Sequence, residues 1–129
     1  YKNAAASYAN IWVGEFITQM EYGYAAADMV ISRAGAMAVT ELCITGKVAI
    51  LVPFPYAAED HQTANAMQLV NNGAALLVKD ENAKADLVKE VVALSKEVMK
   101  QEEMKAAIRK QALRNAADFV AKEILQSLS

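Results

Sequence analysis

Apolar residues in this chain gather into short compact runs separated by longer periodic stretches. The runs lie at about 11–13 (Ile11-Trp12-Val13), 29–32, 48–52 and 75–78 and are rich in branched side chains. That is the pattern of strands buried on both faces. Between them, apolar positions recur at helical spacing. Thr18 can cap a helix reaching about Ala27, with Met20, Tyr24 and Ala27 on one face. A second helix is predicted from about Ala36 to Gly46, and a third from about Glu59 to Asn71. Gly46 and Asn72-Gly73 suit left-handed helix ends, and Pro53 and Pro55 close the third run. From Ala83 the pattern is helical only: Leu87, Val91, Leu94 and Val98 share a face, and a last helix is predicted from about Glu102 to Leu128. Strands alternating with helices over short connections predict an α/β fold with a Rossmann-like parallel sheet and flanking helices.

Composition narrows the class. The 55% hydrophobic content of the 129 residues suits a covered parallel sheet, and no apolar run nears the roughly 18 residues of a membrane span. A net charge of −2 offers no basic stripe for nucleic acid. The single cysteine, Cys43, sits at an apolar helix position and reads as a buried thiol in a reducing compartment. The chain opens at Tyr1 without Met or a targeting segment, and residues 1–10 lead directly into the first run. It therefore reads as one truncated domain over 1–129. No residues have metal-ligand spacing and no Ser/His/Asp set assembles, so neither metal nor cofactor is expected.

Polar side chains with chemical potential fall where strands hand over to helices, the edge at which open α/β sheets bind ligands. Arg33-Ala34-Gly35-Ala36 joins a strand to a helix N-terminus, whose free N–H groups and dipole favour an anion. Gly35 permits close approach of a phosphate. A tight turn chosen for packing explains the same residues, and Arg33 either adds charge or braces the loop. Glu41 lies about one and a half turns into that helix, where a carboxylate can accept from both hydroxyls of a ribose or simply face solvent. His61 and Asn65 share a helix face, as do Gln62 and Asn65. The two amides suit sugar hydroxyls. His61 is the default acid/base candidate, although a histidine in a first turn also serves as a cap or surface residue.

In their order, these residues resemble the C-terminal domain of the MurG family. These bacterial glycosyltransferases of the GT-B fold transfer N-acetylglucosamine from UDP-N-acetylglucosamine to lipid I, making lipid II for the cell wall. The matching text is Glu15-Phe16-Ile17 with Met20, Tyr24-Ala25, Ala27-Asp28, Ser32 to Ala36 with Thr40-Glu41, Val52-Pro53, and His61-Gln62 with Asn65-Ala66. It runs from about Ile11 to Val78, with compatible helices beyond. The resemblance implies that Phe16 and Ile17 frame the uracil, the Ile17 backbone reading its edge. It implies that backbone N–H groups across Gly35, Ala36, Met37 and Ala38 face the pyrophosphate and sugar, with Arg33 supporting the loop. Glu41 would hold the ribose, Gln62 and Asn65 would read the sugar hydroxyls, and His61 would stand beside them. Ala38 replaces a hydroxyl residue common in the family at that point.

The family's Gly-rich loop, the first strands of this domain and the N-terminal domain have no counterpart in the chain. The expectation is thus an incomplete C-terminal half of a GT-B enzyme, inactive alone, with no catalytic residue beyond the candidate His61. The lipid acceptor and the base would belong to the absent domain, and the intact protein would lie peripherally on the inner face of the cell membrane. Losing the central strands would leave apolar edges unpaired, predicting self-association, a swapped arrangement, or direct pairing of the run at 11–13 with that at 29–32. Two other readings remain open. One is a non-catalytic nucleotide-sugar-binding half of a split lipid-linked-sugar N-acetylglucosaminyltransferase that needs a partner subunit. The other is a nucleotide-binding epimerase, disfavoured by a single histidine.

Overall fold

Aliphatic residues with no charge among them make Val48–Leu51 suited to the middle of a sheet, and that is where they lie. The computed structural model describes residues 7–15, 17–56 and 61–128. Its elements run α1 (Met20–Ala26), β1 (Met29–Ser32), α2 (Ala36–Thr45), β2 (Val48–Leu51), α3 (His61–Val70), β3 (Leu76–Leu77), α4 (Asp80–Ser95) and α5 (Val98–Leu128). The strands form one parallel sheet in the order β1-β2-β3. Met29 stands opposite Val48, Ser32 opposite Leu51, and Ile50 opposite Leu76.

Every residue of β2 is buried, and the strand's period of two divides them between two layers. Val48, Ile50 and Val52 pack with Leu94 of α4 and Met104 of α5. Ala49 and Leu51 pack with Leu42 and Cys43 of α2, Ala66 and Leu69 of α3, and Ile108 of α5. The fold is therefore α/β with helices on both faces of a parallel sheet, and α5 reaches both layers. Ile50, Leu51, Leu69, Leu94 and Ile108 are sealed from solvent, each stabilising the fold by about 1.5–3 kcal/mol through burial.

Helix ends follow local chemistry. Gly46 adopts φ +64° at the end of α2, and its N–H donates to the Leu42 carbonyl at 2.9 Å. A Cβ there would stand 3.0 Å from Nε of Arg109, so the glycine serves both the left-handed turn and the close approach of α5. Asp80 and Glu81 open α4, where carboxylates complement the helix dipole. That helix starts three residues before Ala83, and α5 runs unbroken from Val98 rather than from Glu102.

Two expectations are corrected. Thr18 does not cap α1: Gln19 occupies that position, with no side-chain hydrogen bond. Ile11-Trp12-Val13 is not a strand. These residues are irregular, and Trp12 is 70% exposed. A branched, aromatic triplet becomes a strand only where a neighbour supplies ladder hydrogen bonds, and β1 pairs only with β2 among the described residues. Direct pairing of residues 11–13 with β1 is absent for the same reason. Among the described residues, no helix is long and apolar enough to cross a membrane.

Candidate functional site

Beyond the carboxyl end of β1, Arg33-Ala34-Gly35 leads into α2. Gly35 is the N-cap residue, in ordinary extended backbone, and its carbonyl accepts the first helical bond from the Val39 N–H at 3.0 Å. The N–H groups of Ala36, Met37 and Ala38 precede that ladder and have no acceptor within the helix. Among the described residues, a Cβ at Gly35 would meet nothing within 4 Å, so the residue next to these donors borders open space. Met37 beside them is largely exposed. Free amides, a positive helix end and room for a ligand together make an anion-accepting corner.

Farther along α2, Glu41 is half-buried. Its Oε2 accepts a 2.8 Å hydrogen bond from the Tyr24 hydroxyl of α1. Tyr24 is itself buried within the core. Burial first, then the hydrogen bond to Glu41 and that carboxylate's charge, push the phenol up to about 12. It remains a protonated donor throughout the neutral range.

The amides of α3 face the same loop from the other side. Oε1 of Gln62 accepts from the N–H of Phe54 at 2.8 Å and from that of Ala34 at 3.3 Å. Asn65 donates from Nδ2 to the Ala34 carbonyl at 3.1 Å. Two side chains thus pin both backbone polar groups of Ala34, a residue with no exposed surface. Arg33 extends this brace. Its Nη1 donates to Asp80 Oδ1 at 2.5 Å and to the Val52 carbonyl at 3.3 Å, and its guanidinium lies 5.5 Å from the Phe54 ring centroid. Of the two roles open to Arg33, this geometry is that of a brace.

The structure therefore brings Arg33, the 34–38 loop, Gln62 and Asn65 together, with Glu41 farther along the same helix. Ile17 instead lines a shallow hollow of about 370 Å³ with Trp12, Thr18 and Tyr22. Phe16 lies outside the described residues. His61 is exposed at the start of α3, and Cys43 is buried, which pushes its thiol pKa up. Among the described residues, no cluster of His, Cys, Asp and Glu could hold a metal ion. Sequence reasoning missed three participants: the Tyr24 hydroxyl, Phe54 and Asp80. Tyr24 is legible in sequence only as part of an apolar helix face. Asp80 stands 47 residues from Arg33, and no local pattern links them.

The profile of the glycosyltransferase family 28 C-terminal domain matches residues 1–120. The chain is 43% identical over 116 residues to the UDP-N-acetylglucosamine--N-acetylmuramyl-(pentapeptide) pyrophosphoryl-undecaprenol N-acetylglucosamine transferase of Parabacteroides distasonis, covering 90% of this chain and 32% of that protein. It is 44% identical over 123 residues to the protein of that name from Bacteroides fragilis, covering 95% and 32%. The crystal structure of Acinetobacter baumannii MurG superposes with a TM-score of 0.72 at 32% identity, over 94% of this chain and 38% of that one. The chain thus spans about a third of the length of these relatives.

Proposed function

The chain belongs to the glycosyltransferase family 28 C-terminal domain family, and from that premise we propose that it forms the donor-binding part of an N-acetylglucosaminyltransferase of peptidoglycan synthesis. The donor is UDP-N-acetylglucosamine and the acceptor is lipid I, which becomes lipid II. One observation carries this reading: an open, amide-lined N-terminus on α2 with a carboxylate held about one and a half turns farther on. That spacing offers an anion site and a ribose acceptor on one helix.

In this reading the diphosphate of the donor lies against the N–H groups of Ala36, Met37 and Ala38, with the missing side chain of Gly35 admitting it. Glu41 accepts from the ribose hydroxyls, and the Ile17 backbone reads the uracil edge. Oε1 of Gln62 and Nδ2 of Asn65 are engaged with backbone, so Nε2 of Gln62 and Oδ1 of Asn65 are the atoms for the sugar hydroxyls. His61 stands next to them. Arg33 acts through the loop it braces.

The reaction is a displacement at the anomeric carbon. The acceptor hydroxyl attacks, the bond from that carbon to the β-phosphate oxygen breaks, and UDP leaves with the electron pair. Amides already aimed at the diphosphate stabilise the developing charge without reorganising. The proton of the attacking hydroxyl passes to a general base, which this reading assigns to the remainder of the enzyme, with His61 the candidate within this chain. The complete enzyme works peripherally on the inner face of the cell membrane, where its lipid-linked acceptor resides.

Calorimetric titration of the intact protein with UDP-N-acetylglucosamine tests the assignment. Glu41→Ala is expected to weaken binding about 10- to 100-fold, the range for hydrogen bonds to a charged acceptor. Unchanged affinity would remove Glu41 from the site and the nucleotide-sugar reading with it.

A further inference from the structure

The hydroxyl of Tyr24 is a polar group inside an otherwise apolar cluster, and its partner is the carboxylate assigned to the ribose. A glutamate side chain ordered for binding loses rotamer freedom. A carboxylate also presents about four lone-pair sites, of which Tyr24 takes one. We infer that Tyr24 is a positioning residue for nucleoside recognition: its hydroxyl, 2.8 Å from Oε2 of Glu41, fixes the carboxylate before ligand arrives and leaves Oε1 to the ribose. The inference rests on the donor-binding reading of Glu41 given above.

Three features support it. Tyr24 is only 8% exposed, so its ring is anchored and its hydroxyl has a fixed position. The phenol stays protonated at neutral pH because burial and Glu41 both favour the neutral form, so the hydrogen bond has one direction. Finally, the Ile17 side chain lies beside Gly23, the residue before Tyr24 in α1, its Cδ1 3.6 Å from where a Cβ of Gly23 would stand. The short helix α1 thereby joins the segment assigned to the base with the carboxylate assigned to the sugar of the same nucleoside. One element sets the spacing between the two.

The test compares UDP with 2′,3′-dideoxy-UDP by calorimetry on the intact protein, in the wild type, Tyr24→Phe, Glu41→Ala and the double variant. Tyr24→Phe keeps the buried ring and removes only the hydroxyl. It is expected to weaken UDP roughly three- to tenfold, the span of one net hydrogen bond, and dideoxy-UDP by less than about twofold. In the Glu41→Ala background the same change should have no further effect on UDP, because positioning has nothing left to position. Equal loss for both ligands, no loss for either, or an undiminished loss without Glu41 would each overturn the positioning role. If Glu41→Ala fails to distinguish the two ligands, the ribose assignment itself falls, which is a separate and recognisable outcome.

Discussion

Polar residues at the strand ends fall into two groups that are used in opposite ways. Along Gly35 to Glu41, amides border open space, and the carboxylate has one described partner, at Oε2. Across Arg33, Gln62 and Asn65, the charged and amide groups are turned onto backbone, onto Asp80 and onto each other's loops. Both groups belong to the same string of motif residues, and by side-chain type alone Arg33, Gln62 and Asn65 are the better match to a sugar. Polar residues clustered at a sheet edge thus divide between groups left open to a ligand and groups that first hold the loops that meet it, with only their remaining atoms left for a sugar. Hydrogen-bond partners, not residue types, decide the division.

Gln62→Ala challenges that contrast most severely. It deprives the N–H groups of Ala34 and Phe54 of their acceptor, and at buried Ala34 no solvent replaces it. Denaturant unfolding should register a loss of about 2–3 kcal/mol. Full stability would remove the loop-holding role and leave Gln62 only the sugar contact assigned to its Nε2. Gly35→Ala probes the other group. Its backbone is ordinary for alanine and nothing among the described residues crowds the new methyl, so stability should fall by no more than about 1 kcal/mol, the preference of an N-cap for glycine over alanine. Affinity for UDP should nonetheless fall about tenfold, near 1.4 kcal/mol, because the methyl occupies the diphosphate's approach. Unaltered affinity would close that corner as an anion site. The smallest effect belongs to Asp80→Asn. The Arg33–Asp80 pair is 51% and 34% exposed on its two sides, and exposed pairs are worth about 1 kcal/mol or less. A loss of that size, shrinking as salt is added, would fit one strut among several.

Much of this division is hidden in the sequence, for physical reasons that differ by element. The core strand Val48–Leu51 and the span of α2 are legible because their signals are local: an uninterrupted aliphatic run, and a helix stopped by a glycine whose φ of +64° other residues resist. The turn at 33–35 is legible too, since small residues between strand and helix define its geometry locally. Ile11-Trp12-Val13 misleads because strand formation depends on a neighbour, which three residues cannot announce. Gln62 and Asn65 stand out by type and spacing, yet their attachment to Ala34 spans 28 and 31 residues. Periodicity puts Tyr24 on the right face of α1, but only the folded chain sets its hydroxyl against Glu41.

At 31 residues, α5 extends about 46 Å, whereas a small domain is about 30 Å across. Its buried anchors among the described residues, Met104, Ile108 and Gln111, all fall in the first half, and residues 121–127 are exposed on every side. Among the described residues, those outer turns draw their helicity from the turns before them, and isolated helical segments of such length are marginal in water. The turns from Met104 to Gln111 therefore melt only with the sheet, whereas those at 121–127 are held through the helix itself.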